Sequence, residues 1–149
     1  MKRGAAYVAG FGVACVCLAM PSWAEQPVVL TSAAQANYML NCMGCHLPDG
    51  SGAPGKVPSV RNSLVTLSSS AAGRRFLVQV PGASQSPLTD LELAQVLNWM
   101  VRNLSAPAVP ADFIDFTAAE VASYRRPPLV KVRETRAGLL ESAADQIAR

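Results

Sequence analysis

The chain has 149 residues, of which 50% are hydrophobic and 15% are charged, and its formal net charge at pH 7 is +3. This length is enough for one domain with a modest hydrophobic core. Before its C-terminal part the chain has no run of like charge and no alternation of aromatic and basic residues, so the sequence does not indicate a nucleic-acid-binding protein.

The start of the chain has the layout of a secretory signal peptide. Lys2 and Arg3 give a charged beginning, residues 5–20 are mainly apolar, and the following Pro-Ser-Trp-Ala offers a small-x-small cleavage site. The apolar stretch is too short for a permanent membrane span. We therefore predict a signal peptide over residues 1–24 and a periplasmic protein that has no membrane span after cleavage.

A short helix is the first element predicted after the signal peptide. Ser32 can cap it, and Gln35, three residues later, is the residue type that completes a capping box. The helix is expected to run from about Ala33 to Asn41, so it leads directly into the segment that carries the clearest chemistry.

That segment is Cys42-Met43-Gly44-Cys45-His46, whose C-x-x-C-H spacing in an exported protein is typical of covalent haem attachment. Cys42 and Cys45 lie about one helical turn apart, so they can form thioethers with the two vinyl groups of one haem c. His46, the only histidine in the chain, is then the axial iron ligand. The alternatives are a thioredoxin-type pair, which requires a βαβ context, and a zinc site, which requires two further Cys or His ligands.

The middle of the chain is predicted to alternate loops and helices. Residues 47–63 form a loop because glycines and prolines recur through them. Residues 70–80 form a short helix that Pro81-Gly82 stops, and a longer helix begins with Thr89 or Asp90 at its cap. The apolar residues of this longer helix follow the spacing of one buried face: Leu93, Val96, Leu97, Met100, Val101 and Leu104.

Residues 105–149 are a C-terminal extension that is partly helical. Pro107 and Pro110 break the chain after the long helix, a capping box at Thr117 opens a helix to about Tyr124, and residues 131–148 form a last amphipathic helix. The extension wraps the preceding domain, docks on a partner, or has little structural role. Because of the two prolines, we expect a chain ending near Ser105 to keep its cofactor site.

Residues from about 32 to 104 resemble a monohaem class I cytochrome c. The matching parts are the haem motif, Tyr38, the stretch 46–52, the stretch 57–60, and the long helix with Trp99. The resemblance implies an all-α, cytochrome c-like fold of short helices packed around one covalent haem, in a domain that spans residues 25–104. It also implies that the first and last helices of that domain cross with Tyr38 and Trp99 at their contact.

The resemblance suggests roles for residues of the loop after the motif. Pro58 lies where the family places a proline whose carbonyl accepts the N–H of the proximal histidine, which fixes the orientation of the ring. The alternative is a plain turn proline. Lys56 and Arg61 flank this loop and either approach a haem propionate or are solvated.

Residues 80–87 depart from the family pattern. Class I electron carriers place a methionine in this loop as the sixth iron ligand, and the corresponding position here is Ala83. The stretch contains no Met, His, Lys or Cys. We therefore expect the haem to lack a strong sixth ligand from this loop, which leaves the iron open to small ligands. The alternative is that Met100 or Lys56 supplies the ligand.

The motif and the resemblance together imply an electron-transfer protein and not an enzyme. It is expected to carry single electrons between a dehydrogenase and a respiratory acceptor, both of them protein partners, with no nucleic acid involved. One alternative is a haem protein that binds or senses small ligands at an open distal site. Another is a fixed cytochrome subunit of an oxidoreductase complex, docked through the C-terminal extension.

Overall fold

The computed structural model describes residues 32–148, so the predicted signal peptide lies outside the described part of the chain. The described residues form helices and no strands, which confirms the all-α class. None of these helices combines the length and the apolar character needed to cross a membrane. The helices are α1 (Ala33–Asn41), α2 (Leu64–Ser68), α3 (Ala71–Gln79), α4 (Pro81–Ser84), α5 (Asp90–Leu104), α6 (Ala118–Tyr124) and α7 (Val132–Ile147).

Side-chain caps explain why the predicted helices begin where they do. In α1 the Oγ atom of Ser32 accepts a hydrogen bond from the backbone N–H of Gln35 at 3.2 Å, which is the serine half of the predicted box. Thr89 and Glu92 form both halves of a capping box at α5, with backbone bonds of 3.2 and 2.8 Å. At α6 the Oγ1 atom of Thr117 accepts a hydrogen bond from the backbone N–H of Glu120 at 3.1 Å, which is the threonine half of the predicted capping box. The predicted starts of these three helices are confirmed.

Two short helices lie where the sequence predicted none. Helix α2 follows the loop 47–63, and α4 occupies the first half of the loop expected at residues 80–87. Pro81 does end α3, but it also takes the first position of α4, where its missing N–H costs no helical hydrogen bond. The segment that departs from the cytochrome pattern is therefore partly helical.

Helix α5 presents the predicted apolar face to the core. All six residues of that face are buried: Leu93, Val96, Leu97, Met100, Val101 and Leu104. Helix α1 packs against α5, and the rings of Tyr38 and Trp99 meet there with centroids 5.2 Å apart and planes inclined by 39°. The predicted contact between these two aromatic residues is confirmed.

The C-terminal extension contributes to the same core. Phe116 is 3% exposed and Val121 is fully buried, and both belong to the cluster that contains the α5 residues. The side chain of Asn98 in α5 bonds the backbone N–H and C=O of Phe116 at 2.7 and 3.0 Å. Arg74 in α3 forms a two-pronged ion pair with Glu120, with both contacts at 2.6 Å. The extension therefore shares the core of the preceding residues, and this packing argues against an independent fold for a chain that ends near Ser105.

Candidate functional site

A cavity of about 290 Å³ lies beside the C-x-x-C-H motif. Cys42, Cys45 and His46 all line it, together with residues of the loop 56–60 and of helices α2 to α5. Most of the other lining residues are apolar: Val57, Val60, Leu64, Leu67, Phe76, Leu77, Val80, Leu93, Val96, Leu97 and Met100. The three residues predicted to hold a haem are thus gathered at one apolar cavity.

The motif forms a helical turn directly after α1. The backbone N–H groups of Cys45 and His46 both donate to the carbonyl oxygen of Cys42, at 3.2 and 2.9 Å. This turn brings both thiols to the same cavity, as the spacing predicts. The two cysteines are free thiols and form no disulfide with each other.

The ionisation of Cys42 differs from that of a reactive redox cysteine. Burial raises the pKa of its thiol to about 11, and the nearby Cys45 adds to the rise. Catalytic cysteines of thioredoxin-type pairs have the opposite property, a lowered pKa that maintains a thiolate near neutral pH. The environment of Cys42 therefore disfavours the redox-pair alternative.

His46 is half-buried against the cavity, and this burial lowers the pKa of its imidazole below the usual value. The neutral ring is the form that binds a metal. Its Nδ1 atom is buried and has no hydrogen-bond partner among residues 32–148. The bond predicted to the Pro58 carbonyl is therefore not made in this structure, although Pro58 lines the same cavity.

Tyr38 fixes the backbone immediately after the motif. Its hydroxyl donates to the carbonyl oxygen of Leu47 at 2.7 Å, and the residue is 1% exposed. Burial, with smaller effects from the charges of Cys42 and Asp49, raises the pKa of Tyr38 to about 12, so the hydroxyl remains a donor at neutral pH. The sequence predicted the ring contact of Tyr38 but not this hydrogen bond, which holds the chain beside His46.

Close backbone packing shapes the loop after the motif. A Cβ atom on Gly52 would clash with the carbonyl oxygen of Val57, so only glycine fits at this position. Of the two basic residues that flank the loop, Lys56 lines the cavity. Arg61 instead forms an exposed ion pair with Asp49 at 2.9 Å, and it does not line the cavity.

The part of the cavity wall that α4 and the residues after it form has small side chains. Gly82, Ala83 and Ser86 line the cavity. Met100 lines it too and is 6% exposed, so the weak candidate for a sixth ligand does reach the cavity wall. The cavity lining is therefore compatible with both expectations for the sixth iron ligand, an open position and Met100.

Two arginines of the extension reach this region, and no sequence motif marks either of them. Arg125 hydrogen-bonds the backbone of Ser84 and Ser86 and pairs with Asp90. Arg136 in α7 lines the cavity and bonds the hydroxyl of Ser63 at 3.0 Å. An isolated arginine in a mixed-charge helix carries no local signal of such contacts, so only the tertiary structure identifies them.

Comparisons with protein-family models and with curated proteins gave no match for this chain. Among the described residues, no group of three or more His, Cys, Asp or Glu side chains is arranged to hold a metal ion. The side chains of the motif therefore do not form a metal site by themselves. The interpretation of the site therefore depends on the motif and on the chemistry of the cavity it lines.

Proposed function

We propose that this protein is a periplasmic c-type cytochrome that carries single electrons between a dehydrogenase and a respiratory acceptor. The observation that carries the proposal is the convergence of Cys42, Cys45 and His46 on one apolar cavity. A bound haem supplies a one-electron iron couple, and its potential depends on axial ligands, burial and hydrogen bonds.

The residues present fit that group in three respects. Cys42 and Cys45 are unpaired thiols at the same cavity, so both are free to form thioethers. The neutral, half-buried imidazole of His46 has the protonation state required of an axial ligand. The remaining wall is mainly apolar, which suits a porphyrin ring and keeps water from the iron.

The first experiment is a test of covalent attachment. The full chain is expressed with haem-maturation machinery, denatured, separated by size and stained for haem. We expect the wild type to retain haem, and the double variant Cys42→Ala/Cys45→Ala to lose it. Met43→Ala is the matched control, because it changes the motif without removing a thiol or the imidazole, and it should retain haem. A wild-type chain without covalent haem would overturn the proposal.

A second function is favoured by the small side chains that α4 and Ser86 contribute to the cavity wall. Gly82, Ala83 and Ser86 bring no strong iron ligand to the cavity wall. A haem without a sixth protein ligand is high-spin and binds small molecules such as oxygen, nitric oxide or cyanide, which makes a ligand-binding or sensing protein the alternative. The absorption spectrum of the oxidised holoprotein distinguishes the two functions, because a sensor of this kind is high-spin and an electron carrier with a sixth ligand is low-spin.

A further inference from the structure

A second cavity, of about 480 Å³, adjoins the one at the motif. The two share part of their walls, because Lys56, residues 57–59 and Arg136 line both. Arg133 lines the second cavity but not the one at the motif. The shared residues mark the place where the apolar cavity meets its polar neighbour.

The charged residues around this junction are all basic. Lys56, Arg133 and Arg136 line the second cavity, and no carboxylate from residues 32–148 lines either cavity. None of the three is in an ion pair within the described chain, whereas four other arginines are. Apart from the side chains of the motif, they are the only titratable groups among the described lining residues. A concave surface with several cations and no anion attracts a negatively charged group.

Arg136 is held at the junction by a neutral partner. Its Nη2 atom donates to the Oγ atom of Ser63 at 3.0 Å, and Ser63 is 5% exposed and lines the motif cavity. A hydroxyl orients the guanidinium without neutralising its charge. This is the only hydrogen bond that Arg136 makes through its side chain to the described residues, so most of its five N–H donors are free for another acceptor.

We propose that Arg136, together with Lys56, binds the propionate carboxylates of the haem, so that the C-terminal extension completes the cofactor site. This inference rests on the proposed function. A haem presents an apolar ring and two carboxylates side by side, and the paired cavities offer an apolar wall beside a basic one. Arg136 thereby takes the role that the sequence offered to Arg61, whose charge Asp49 already neutralises.

The test compares the covalently loaded wild type with Arg136→Gln, Arg136→Lys and Arg126→Gln, because Arg126 is exposed and lines neither cavity. The reduction potential of each holoprotein is measured as a function of pH. A cation beside a propionate favours its ionised form. In Arg136→Gln, the pH at which the reduction potential shows its step should therefore be higher by about 1 unit. It should also lower the potential at neutral pH, because loss of a nearby positive charge favours the more positive ferric state.

The other variants separate this effect from a change of net charge. Arg136→Lys should keep most of the wild-type curve. Arg126→Gln should shift the curve much less than Arg136→Gln although it removes the same charge. If Arg136→Gln loads poorly, Lys56→Gln replaces it and should shift the curve in the same direction. Equal curves for Arg136→Gln and Arg126→Gln in proteins that retain haem would overturn the inference and leave the proposed function standing. Absence of covalent haem in the wild type would instead overturn the proposed function, and the inference with it.

Discussion

Arg125, directly after α6, donates a hydrogen bond of 2.7 Å from Nη2 to the carbonyl oxygen of Ser86, 39 positions earlier in the chain. The same guanidinium donates to the carbonyl of Ser84 at 3.1 Å and pairs with Asp90 at 2.8 Å. The Arg125 side chain is only 11% exposed. Since Ser86 and Ala83 line the motif cavity, the extension fixes a segment of the cavity wall.

The first prediction concerns this arginine. Arg125→Gln removes donors from two backbone carbonyls and leaves Asp90 without its partner, so we expect the holoprotein to lose about 2–3 kcal/mol of unfolding free energy. The segment 82–86 should also become more mobile. We therefore expect cyanide to bind the ferric protein faster than in the wild type. Denaturant unfolding and stopped-flow cyanide binding measure the two effects.

Arg126→Gln is the control for that experiment. It removes the same charge from the adjacent position, where the side chain is exposed and makes no hydrogen bond to the described residues. Both its stability and its cyanide rate should remain near the wild-type values. If the two variants behaved alike, Arg125 would contribute only net charge.

The second prediction concerns the extension as part of the core. Phe116→Ala should cost about 3–5 kcal/mol, because it removes a buried ring and leaves a cavity. Ile114→Ala is the matched control: Ile114 is 77% exposed, so the cost should be small. A chain ending at Ser105 should lose its cooperative unfolding transition. Retention of wild-type stability by the shortened chain would show that the core closes without the extension.

Local features of the fold could be predicted from the sequence, whereas the contacts of the extension could not. The cap at Ser32 and the capping box of Thr89 with Glu92 depend on residues three positions apart, so the sequence contains them directly. The bonds from Arg125 to Ser86 and from Arg136 to Ser63 join distant residues. No periodicity encodes such pairs, since they depend on where whole helices pack.

The same limit applies to the candidate site. The three residues of the motif could be named because the C-x-x-C-H spacing is by itself typical of covalent haem attachment. The structure places all three at one cavity. The hydrogen-bond partner of His46 could not be predicted in this way. Pro58 was proposed from family position alone, and Nδ1 of His46 has no partner in the described chain. The orientation of a ring against a loop depends on tertiary packing that spacing does not determine.

The third prediction concerns the hydroxyl of Tyr38. Tyr38→Phe keeps the ring contact with Trp99 but removes the donor to the Leu47 carbonyl, so it should cost about 1–2 kcal/mol of unfolding free energy. The pKa of Tyr38 is about 12 in the folded protein, whereas the ordinary value for tyrosine is 10.0. The unfolded chain therefore releases this proton at lower pH. The wild type should therefore lose stability as pH rises from 10.0 to about 12, and the variant should lose less.

Tyr124→Phe provides the comparison for Tyr38→Phe. The hydroxyl of Tyr124 makes no hydrogen bond to any described residue, so its removal should leave the unfolding free energy nearly unchanged. The measurement is denaturant unfolding of the holoproteins across the alkaline range. Identical pH profiles for the wild type and Tyr38→Phe would show that the Tyr38 hydroxyl titrates alike in the folded and unfolded states.

The fourth prediction concerns the sixth ligand of the iron. Ala83 lines the cavity at the position where the family pattern has methionine, and no side chain of residues 80–87 binds iron well. We predict that the ferric holoprotein lacks the weak sulfur-to-iron absorption band at the red end of the visible spectrum, and that it binds cyanide readily. Ala83→Met should produce a low-spin spectrum and raise the reduction potential, because a thioether favours ferrous iron.

Met100 decides the outcome if this prediction is wrong. It is buried and lines the same cavity, so it is the alternative source of a sulfur ligand. In that case the wild type would show the sulfur-to-iron band, and Met100→Leu, which preserves the apolar volume, would abolish it. Met39→Leu is the control, because Met39 is 47% exposed and does not line the cavity. A band that Met100→Leu removes and Met39→Leu leaves intact would exclude the open-site function and identify Met100 as the sixth ligand.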